Sequence, residues 1–404
     1  MGGFAYLFER FPSFTQTFCF REVLEMRRQG VIAPVFSIRT PRDEPEQNFP
    51  PELSGLTTYL PESFDGILAN DAGFRRRARR ALGELRNLWG GESEKRRIYE
   101  ALWLLPRLRE TGVGHVHVHF AGTAARTAFW LKRLGGIRFS VTAHANDIFC
   151  DEPRDRLEMM LDAAERVVTV SDFSARWLRE ELPPQAGKVR RVYNGIAIDR
   201  FRRGDVRAGS PGIVGVGRYI EKKGFADLIS ACAMLPDIEF CCRIIGEGPL
   251  RDDLIAKASS DPRVAITGPL SESAIVDELA AATVFALPCV DSADGGKDNL
   301  PTVIMEAMAA ALPVVSTRLA GIPEMVIDGE TGFLVEPGDV AGLAARLREL
   351  LVDPARARAM GEAGFARCRE LFATERTTGE LRGVLGECGA FDVAEKGWFK
   401  RLFG

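Results

Sequence analysis

Short apolar runs alternate with stretches of helical period along nearly the whole chain. In the first half, FAYLF at 4–8 predicts a strand, and residues 15–30 a helix stopped by Gly30. VIAPVFSIR at 31–39, HVHVHF at 115–120, FSVTAH at 139–144 and RVVTVS at 166–171 predict further strands. Helical patterns at 121–134 and 172–182 follow two of them, and KVRRVYNG at 188–195 closes this half. Strands separated by helices predict a parallel sheet with helices on its faces.

The pattern breaks at 196–211, IAIDRFRRGDVRAGSP, a charged stretch bounded by Gly and Pro, and then restarts. GIVGVG, EFCCRIIG, VAITG, TVFALPC, PVVST and GFLV predict strands, with helical patterns at 224–235, 249–260 and 273–282 and a helix entered near Val303. From about residue 340 the chain reads as helices. The expected architecture is α/β, with doubly wound domains at 1–198 and 199–380 and a helical tail at 381–404. Such sheets bind ligands outside the carboxyl ends of their strands, where the strand order reverses.

A chain of 404 residues is long enough for two separate cores. Its net charge of -3 with 27% charged residues argues against a nucleic-acid binder. No apolar run is long enough to span a bilayer, and the start MGGFAYLFERFP lacks a basic region followed by a long apolar stretch. The eight cysteines include no CxxC pair, so reduced thiols in the cytoplasm are expected. A monomer or weak homodimer is the expected state.

Candidate chemistry concentrates in the second half. In DNLPTVIMEAM, Asp298 precedes a helix expected to carry Glu306 in its first turn. A helix start favours anions through its free N–H groups, and Leu300 and Thr302 offer backbone donors there where Pro301 has none. VGVGRYIEKKGF places Arg218 and Lys223 in a post-strand loop ahead of a helix, a guanidinium and an ammonium suited to a diphosphate. Lys222 is the neighbouring decoy. IIGEGPL places Gly246 and Gly248 after a strand, a pair that allows close backbone approach to a nucleotide. DSADGGKD, with Asp291 and Asp294, reads as a surface loop, and no catalytic metal is expected. His115, His117 and His119 share one strand face; their spread argues against a tetrahedral site and favours structural roles. His144 follows a strand directly, with Asp147 close behind.

The stretch from Asp298 to Asp339, with EAMA, PVV and GIPE, resembles the donor-site signature of the retaining glycosyltransferases of family 4, the group 1 glycosyl transferases. The resemblance implies the GT-B fold: two Rossmann-like domains facing a central cleft, with the last helix crossing back to the first. Asp298 stands where that family carries glutamate. By resemblance, Arg218 and Lys223 hold the leaving diphosphate, Glu306 the ribose and Asp298 the transferred sugar. Gly246, Gly248 and Gly268 line the nucleotide, and His144, in a His-x-x-Asp context, hydrogen-bonds the donor sugar. Asp147 orients that histidine or touches the acceptor. FERFPSFTQTF resembles the N-terminal loop of exopolysaccharide transferases, with Thr15-Gln16-Thr17 in place of Ser-Glu-Thr. The implied reaction keeps the donor's anomeric configuration and needs no cofactor besides a UDP- or GDP-sugar as substrate.

The acceptor is legible only through the colanic-acid and amylovoran-type members that this chain resembles, which implies a polyprenyl-diphosphate-linked saccharide. Arg75, Arg76, Arg77, Arg79 and Arg80, beside Phe74, Leu82, Leu85, Leu88, Trp89, Trp103, Leu104 and Leu105, form a basic amphipathic region. It suits the anionic cytoplasmic leaflet, and also a solvated helical hairpin. A soluble transferase with a small acceptor and a sugar-nucleotide hydrolase or epimerase are the alternative readings.

Overall fold

A computed structural model describes residues 3–42, 49–53, 55–85, 92–201 and 212–391. The chain divides into two compact units. The first holds residues up to Thr169, then Ala175–Val192 and the chain from Thr378; the second holds Val170–Ser174 and Tyr193–Thr377.

The first unit is built on strands β1 (Gly3–Arg10), β2 (Val35–Arg39), β3 (Thr57–Tyr59), β4 (Val113–His119), β5 (Arg138–Ala143), β6 (Val167–Thr169) and β7 (Val189–Arg191). All pair in parallel, in the order β3-β2-β1-β4-β5-β6-β7. Strand periodicity sorts the core: Phe4, Tyr6 and Phe8 enter one apolar cluster and Ala5 and Leu7 another. Each such large side chain taken out of water contributes about 1.5–3 kcal/mol. The helix Thr374–Glu387 lays Leu381, Val384 and Leu385 onto the Phe4–Tyr6–Phe8 cluster. Arg138 secures its end by donating to the carbonyls of Cys388 and Gly389 at 2.5 and 3.0 Å.

The second unit carries β8 (Gly212–Val216), β9 (Cys241–Ile245), β10 (Val264–Thr267), β11 (Val284–Leu287), β12 (Val314–Thr317) and β13 (Gly332–Val335), parallel in the order β10-β9-β8-β11-β12-β13. Each sheet reverses its strand order once, between β1 and β4 in the first and between β8 and β11 in the second. The loops leaving those strands diverge, and this opens a ligand crevice in doubly wound sheets.

The short strand β3 and the helix Asp65–Asn70 are additions that periodicity did not predict. The basic region folds as helices Ala72–Leu85 and Glu92–Glu110. Its expected apolar face is corrected here: Phe74, Leu104 and Leu105 are core residues, with Phe74 stacked on Phe64 at 6.1 Å. Leu88, Trp89, most of the expected linker and the aromatic C-terminal tail lie outside the described residues. Among the described residues no helix is long and apolar enough to cross a membrane. All eight cysteines are free thiols.

Candidate functional site

At the strand-order reversal of the second unit, the loop after β8 carries Arg218 and Lys223, and the segment after β11 carries Asp298. Lys223 Nζ lies 2.5 Å from Asp298 Oδ2, and Lys222 Nζ lies 4.0 Å from Asp298 Oδ1. Burial alone would push the Asp298 carboxyl up; Lys223 and Lys222 outweigh it and hold it below the usual range. Burial likewise disfavours the Lys223 ammonium, yet Asp298 holds its pKa above the usual value. Arg218, on the same loop, is exposed.

Local sequence fixes this loop. Gly224 adopts a left-handed φ of 65°, and a Cβ there would lie 1.8 Å from the Pro288 carbonyl oxygen. The glycine thus lets the Lys223 turn close onto the end of β11. At Gly246 a Cβ would lie 1.9 Å from the Gly217 carbonyl oxygen, and at Gly248 2.6 Å from the Tyr219 carbonyl oxygen. The pair therefore admits the Arg218 loop itself. Tyr219, not singled out from sequence, stitches the loops after β8 and β9. Its N–H donates to Glu247 at 2.8 Å, its carbonyl accepts from Leu250 at 3.0 Å, and its buried hydroxyl donates to Ile244 at 2.9 Å. A large aromatic inside an otherwise polar loop was the available signal. Gly268 follows β10, an edge strand two places from β8, with open space where a Cβ would stand.

The helix after Asp298 spans Thr302–Ala309 with Pro301 at its N-cap. Glu306 is its fifth residue, in the second turn and not the first as expected, because the helix begins directly after Pro301. Glu306 is buried. Leu300 is a core residue, and Thr302 starts the helix. Asn299 anchors the segment: its Oδ1 accepts from Ser171 Oγ at 2.6 Å and its Nδ2 donates to Ser174 Oγ at 3.1 Å. Glu324 of the GIPE motif accepts from the backbone N–H groups of Asp172 and Phe173, each at 2.7 Å. That motif supplies a fixed carboxylate cap at this segment.

In the first unit, His144 follows β5 and is buried, with Phe120 at 4.4 Å and Phe18 at 4.7 Å between ring centres. Asp147 is committed to the backbone: its carboxylate accepts from Ala121 at 2.8 Å, Ala145 at 2.7 Å and His144 at 3.1 Å. It therefore fixes the His144 turn. His115 and His117 bond the Ser140 hydroxyl at 2.9 and 2.8 Å, and His117 also meets Thr142 at 3.0 Å. Burial holds the pKa of His115 near 4 and that of His117 well below normal. The expected spread of the histidines is corrected for one pair: His117 and His119 meet at 5.2 Å, and Glu22, from the helix Thr17–Arg28, joins them with ligand-type atoms within 4.8 Å. Side chains of one strand face lean together when a third group draws them, which spacing does not reveal.

Comparison with known proteins follows the same division. Residues 16–200 match the family model described as Glycosyltransferase Family 4, and residues 210–353 the model described as Glycosyl transferases group 1. A protein of Salmonella typhimurium that carries the name of a colanic acid biosynthesis glycosyltransferase, WcaL, is 34% identical over 59% of this chain and 61% of its own length. The amylovoran biosynthesis glycosyltransferase AmsK of Erwinia amylovora is 32% identical over 58% of this chain and 60% of its own. The chain thus matches about three fifths of the length of these relatives. The lipopolysaccharide core biosynthesis glycosyltransferase LpsE of Rhizobium meliloti is 31% identical over 62% of this chain and 68% of its own. In fold, the sucrose-phosphate synthase of Thermosynechococcus elongatus superposes with a TM-score of 0.71 at 20% identity, covering 96% of this chain and 100% of that one. Anabaena HepE in complex with UDP gives 0.68 at 16%, covering 95% and 100%. The fold is GT-B.

Proposed function

Because the chain belongs to glycosyltransferase family 4, we propose that it moves a sugar from a nucleoside-diphosphate sugar to a saccharide acceptor, with retention of anomeric configuration and without a metal ion. The observation that carries this reading is the set of cations at the strand-order reversal, where Lys223 meets Asp298 at 2.5 Å and Arg218 stands exposed on the same loop. A departing UDP or GDP concentrates negative charge. Arg218 and Lys223, beside a helix start, meet that charge as it develops in the transition state. Lys223 exchanges its carboxylate partner for phosphate, which releases Asp298 toward the sugar. Glu306 receives the ribose hydroxyls, the Leu300 and Thr302 N–H groups face phosphate or sugar oxygens, and His144 serves the donor sugar.

The acceptor we infer is a polyprenyl-diphosphate-linked exopolysaccharide or capsule intermediate, in keeping with the relatives named for colanic acid and amylovoran biosynthesis. Arg76, Arg77, Arg79 and Arg80 are exposed on one helix and supply a basic face toward an anionic cytoplasmic leaflet. With Phe74, Leu104 and Leu105 in the core, this contact is electrostatic.

The test is a screen of UDP- and GDP-sugars against lipid-linked and water-soluble acceptors, before and after exhaustive chelation. Product mass and the NMR coupling of the new linkage are read. The expected result is lipid-linked elongation with a retained linkage, unchanged by EDTA. Free sugar released without acceptor, an inverted linkage, or strict dependence on magnesium or manganese would refute the corresponding part.

A further inference from the structure

A hydrogen-bonded chain of ionisable groups runs through the first unit and ends at His144. Tyr6, on β1, donates its hydroxyl to Glu22 Oε1 at 2.9 Å. His119 Nε2 meets the same oxygen at 3.1 Å, and His119 Nδ1 meets His144 Nε2 at 3.1 Å. Tyr6, His119 and His144 are buried, and the His119 and His144 rings stack at 5.3 Å. The groups come from β1, the helix Thr17–Arg28, β4 and the turn after β5, so they converge where the first sheet reverses its strand order. His115 and His117 bond hydroxyls instead. A chain that holds only four histidines thus spends two of them on one another.

We propose that Glu22 and His119 are positioning residues that fix the tautomer of His144. The inference rests on the reading of His144 as the donor-sugar histidine. With Glu22 accepting from Nε2–H, His119 donates from Nδ1–H to His144 Nε2. A neutral imidazole that accepts at Nε2 carries its own proton on Nδ1, so His144 is held as a hydrogen-bond donor at that atom. Phe18 and Phe120 leave the ring little freedom to turn, so tautomer and ring orientation are set together. The electrostatics agree. Burial opposes charge on His119, but Cys19 and Glu22 outweigh it and raise its pKa to about 10. Burial and the charge on His119 keep His144 neutral. One proton is therefore shared toward His119. The titratable groups around the pair are Tyr6, Cys19, Glu22 and His117; burial raises the Tyr6 hydroxyl and the Cys19 thiol.

The experiment is nitrogen-15 NMR of histidine-labelled full-length protein, with E22Q and E22D beside the unsubstituted chain. Four histidines permit assignment by single substitution. The expected spectrum near neutral pH shows one doubly protonated imidazole, His119, and His144 protonated on Nδ1. In E22Q the His119 titration should fall toward the ordinary histidine range near pH 6.5. Turnover should drop roughly 10-fold, short of the ~10²-fold that a misplaced contact group can cost. The loss should deepen as pH rises and His119 deprotonates, with little change in KM for the nucleotide sugar, and E22D should restore part of it. A merely structural Glu22 would lower Tm without moving the titration. An unchanged His119 titration in E22Q, or His144 protonated on Nε2 in the unsubstituted chain, overturns the proposal. So does one equivalent of tightly bound zinc that H117A abolishes, since Glu22, His117 and His119 would then be ligands. If the spectra match but H144A transfers sugar normally, the relay stands and the donor-side reading of His144 falls.

Discussion

Replacing Lys223 with methionine separates its two roles, because the thioether fills the space of the lysine stem without its charge. The loss has a catalytic and a structural part. Removing a cation that meets charge developing on the diphosphate should lower kcat/KM by at least ~10²-fold, about 2.7 kcal/mol of transition-state stabilisation. Structurally, K223M strands Asp298, whose side chain is only 16% exposed. Breaking a buried ion pair commonly costs about 3–5 kcal/mol. Here Lys222 stays 4.0 Å from the other carboxylate oxygen. A second ammonium at that distance recovers part of the interaction, so a cost of about 1–2 kcal/mol is expected, with Tm falling roughly 2–4 °C per kcal/mol in a domain of this size. K223M/D298N removes both charges and should restore most of the stability but none of the activity. Nucleoside diphosphate release gives the first quantity and thermal unfolding the second. A folded K223M enzyme with normal kcat/KM would refute the diphosphate assignment. A double variant no more stable than K223M would refute the stranded-charge argument.

The same pair predicts a stability window. Asp298 is depressed, so its contribution is present above the unfolded carboxyl value near 4 and is lost as pH falls through its folded value; Lys223 is raised, so its contribution is present below about 10.4 and is lost as pH rises through its folded value. Unfolding curves of the unsubstituted chain and K223M/D298N should therefore differ most between about pH 4 and pH 10 and converge outside it. E306A should chiefly weaken affinity for the bare nucleotide, while D298A should chiefly impair transfer; equal loss of nucleotide affinity in calorimetry would remove that division. Exchanging Arg76, Arg77, Arg79 and Arg80 for glutamine should reduce flotation with anionic vesicles, by up to about 1 kcal/mol per residue at low salt, and spare activity on a soluble acceptor. Arg75 is left out because it donates to the carbonyls of Leu68 and Ala69.

Some of this protein was readable one residue at a time. The runs IVGV, VFAL and VVST read as strands, and β8, β11 and β12 stand where those runs lie. Helix boundaries were set by local chemistry: Pro354 opens a helix whose N-cap Asp353 accepts from the Arg356 N–H at 2.9 Å. Arg218 and Lys223 after β8, and Asp298 and Glu306 around the helix after β11, each lie on a strand–loop–helix pattern that is local in sequence. What sequence could not supply was which of them meet. The Lys223–Asp298 pair joins segments that share only the adjacency of β8 and β11, and that adjacency is a property of strand order. Phe74, Leu104 and Leu105 looked available to lipid because helical period shows which residues share a face, and not what covers it. That Gly246 also admits the backbone of Gly217, from another loop, is decided by the fold. Glu22 carried no signal beside ordinary helix residues, and it gained one only when the fold brought its carboxylate to His119. The sequence by itself determined the elements, their parallel arrangement and the residue types able to meet a diphosphate, because backbone propensity, periodicity and side-chain charge act over a few residues. Tertiary structure alone decided the partners, the burial and hence the protonation of those groups, because electrostatic and hydrogen-bond energies depend on distances between segments far apart along the chain.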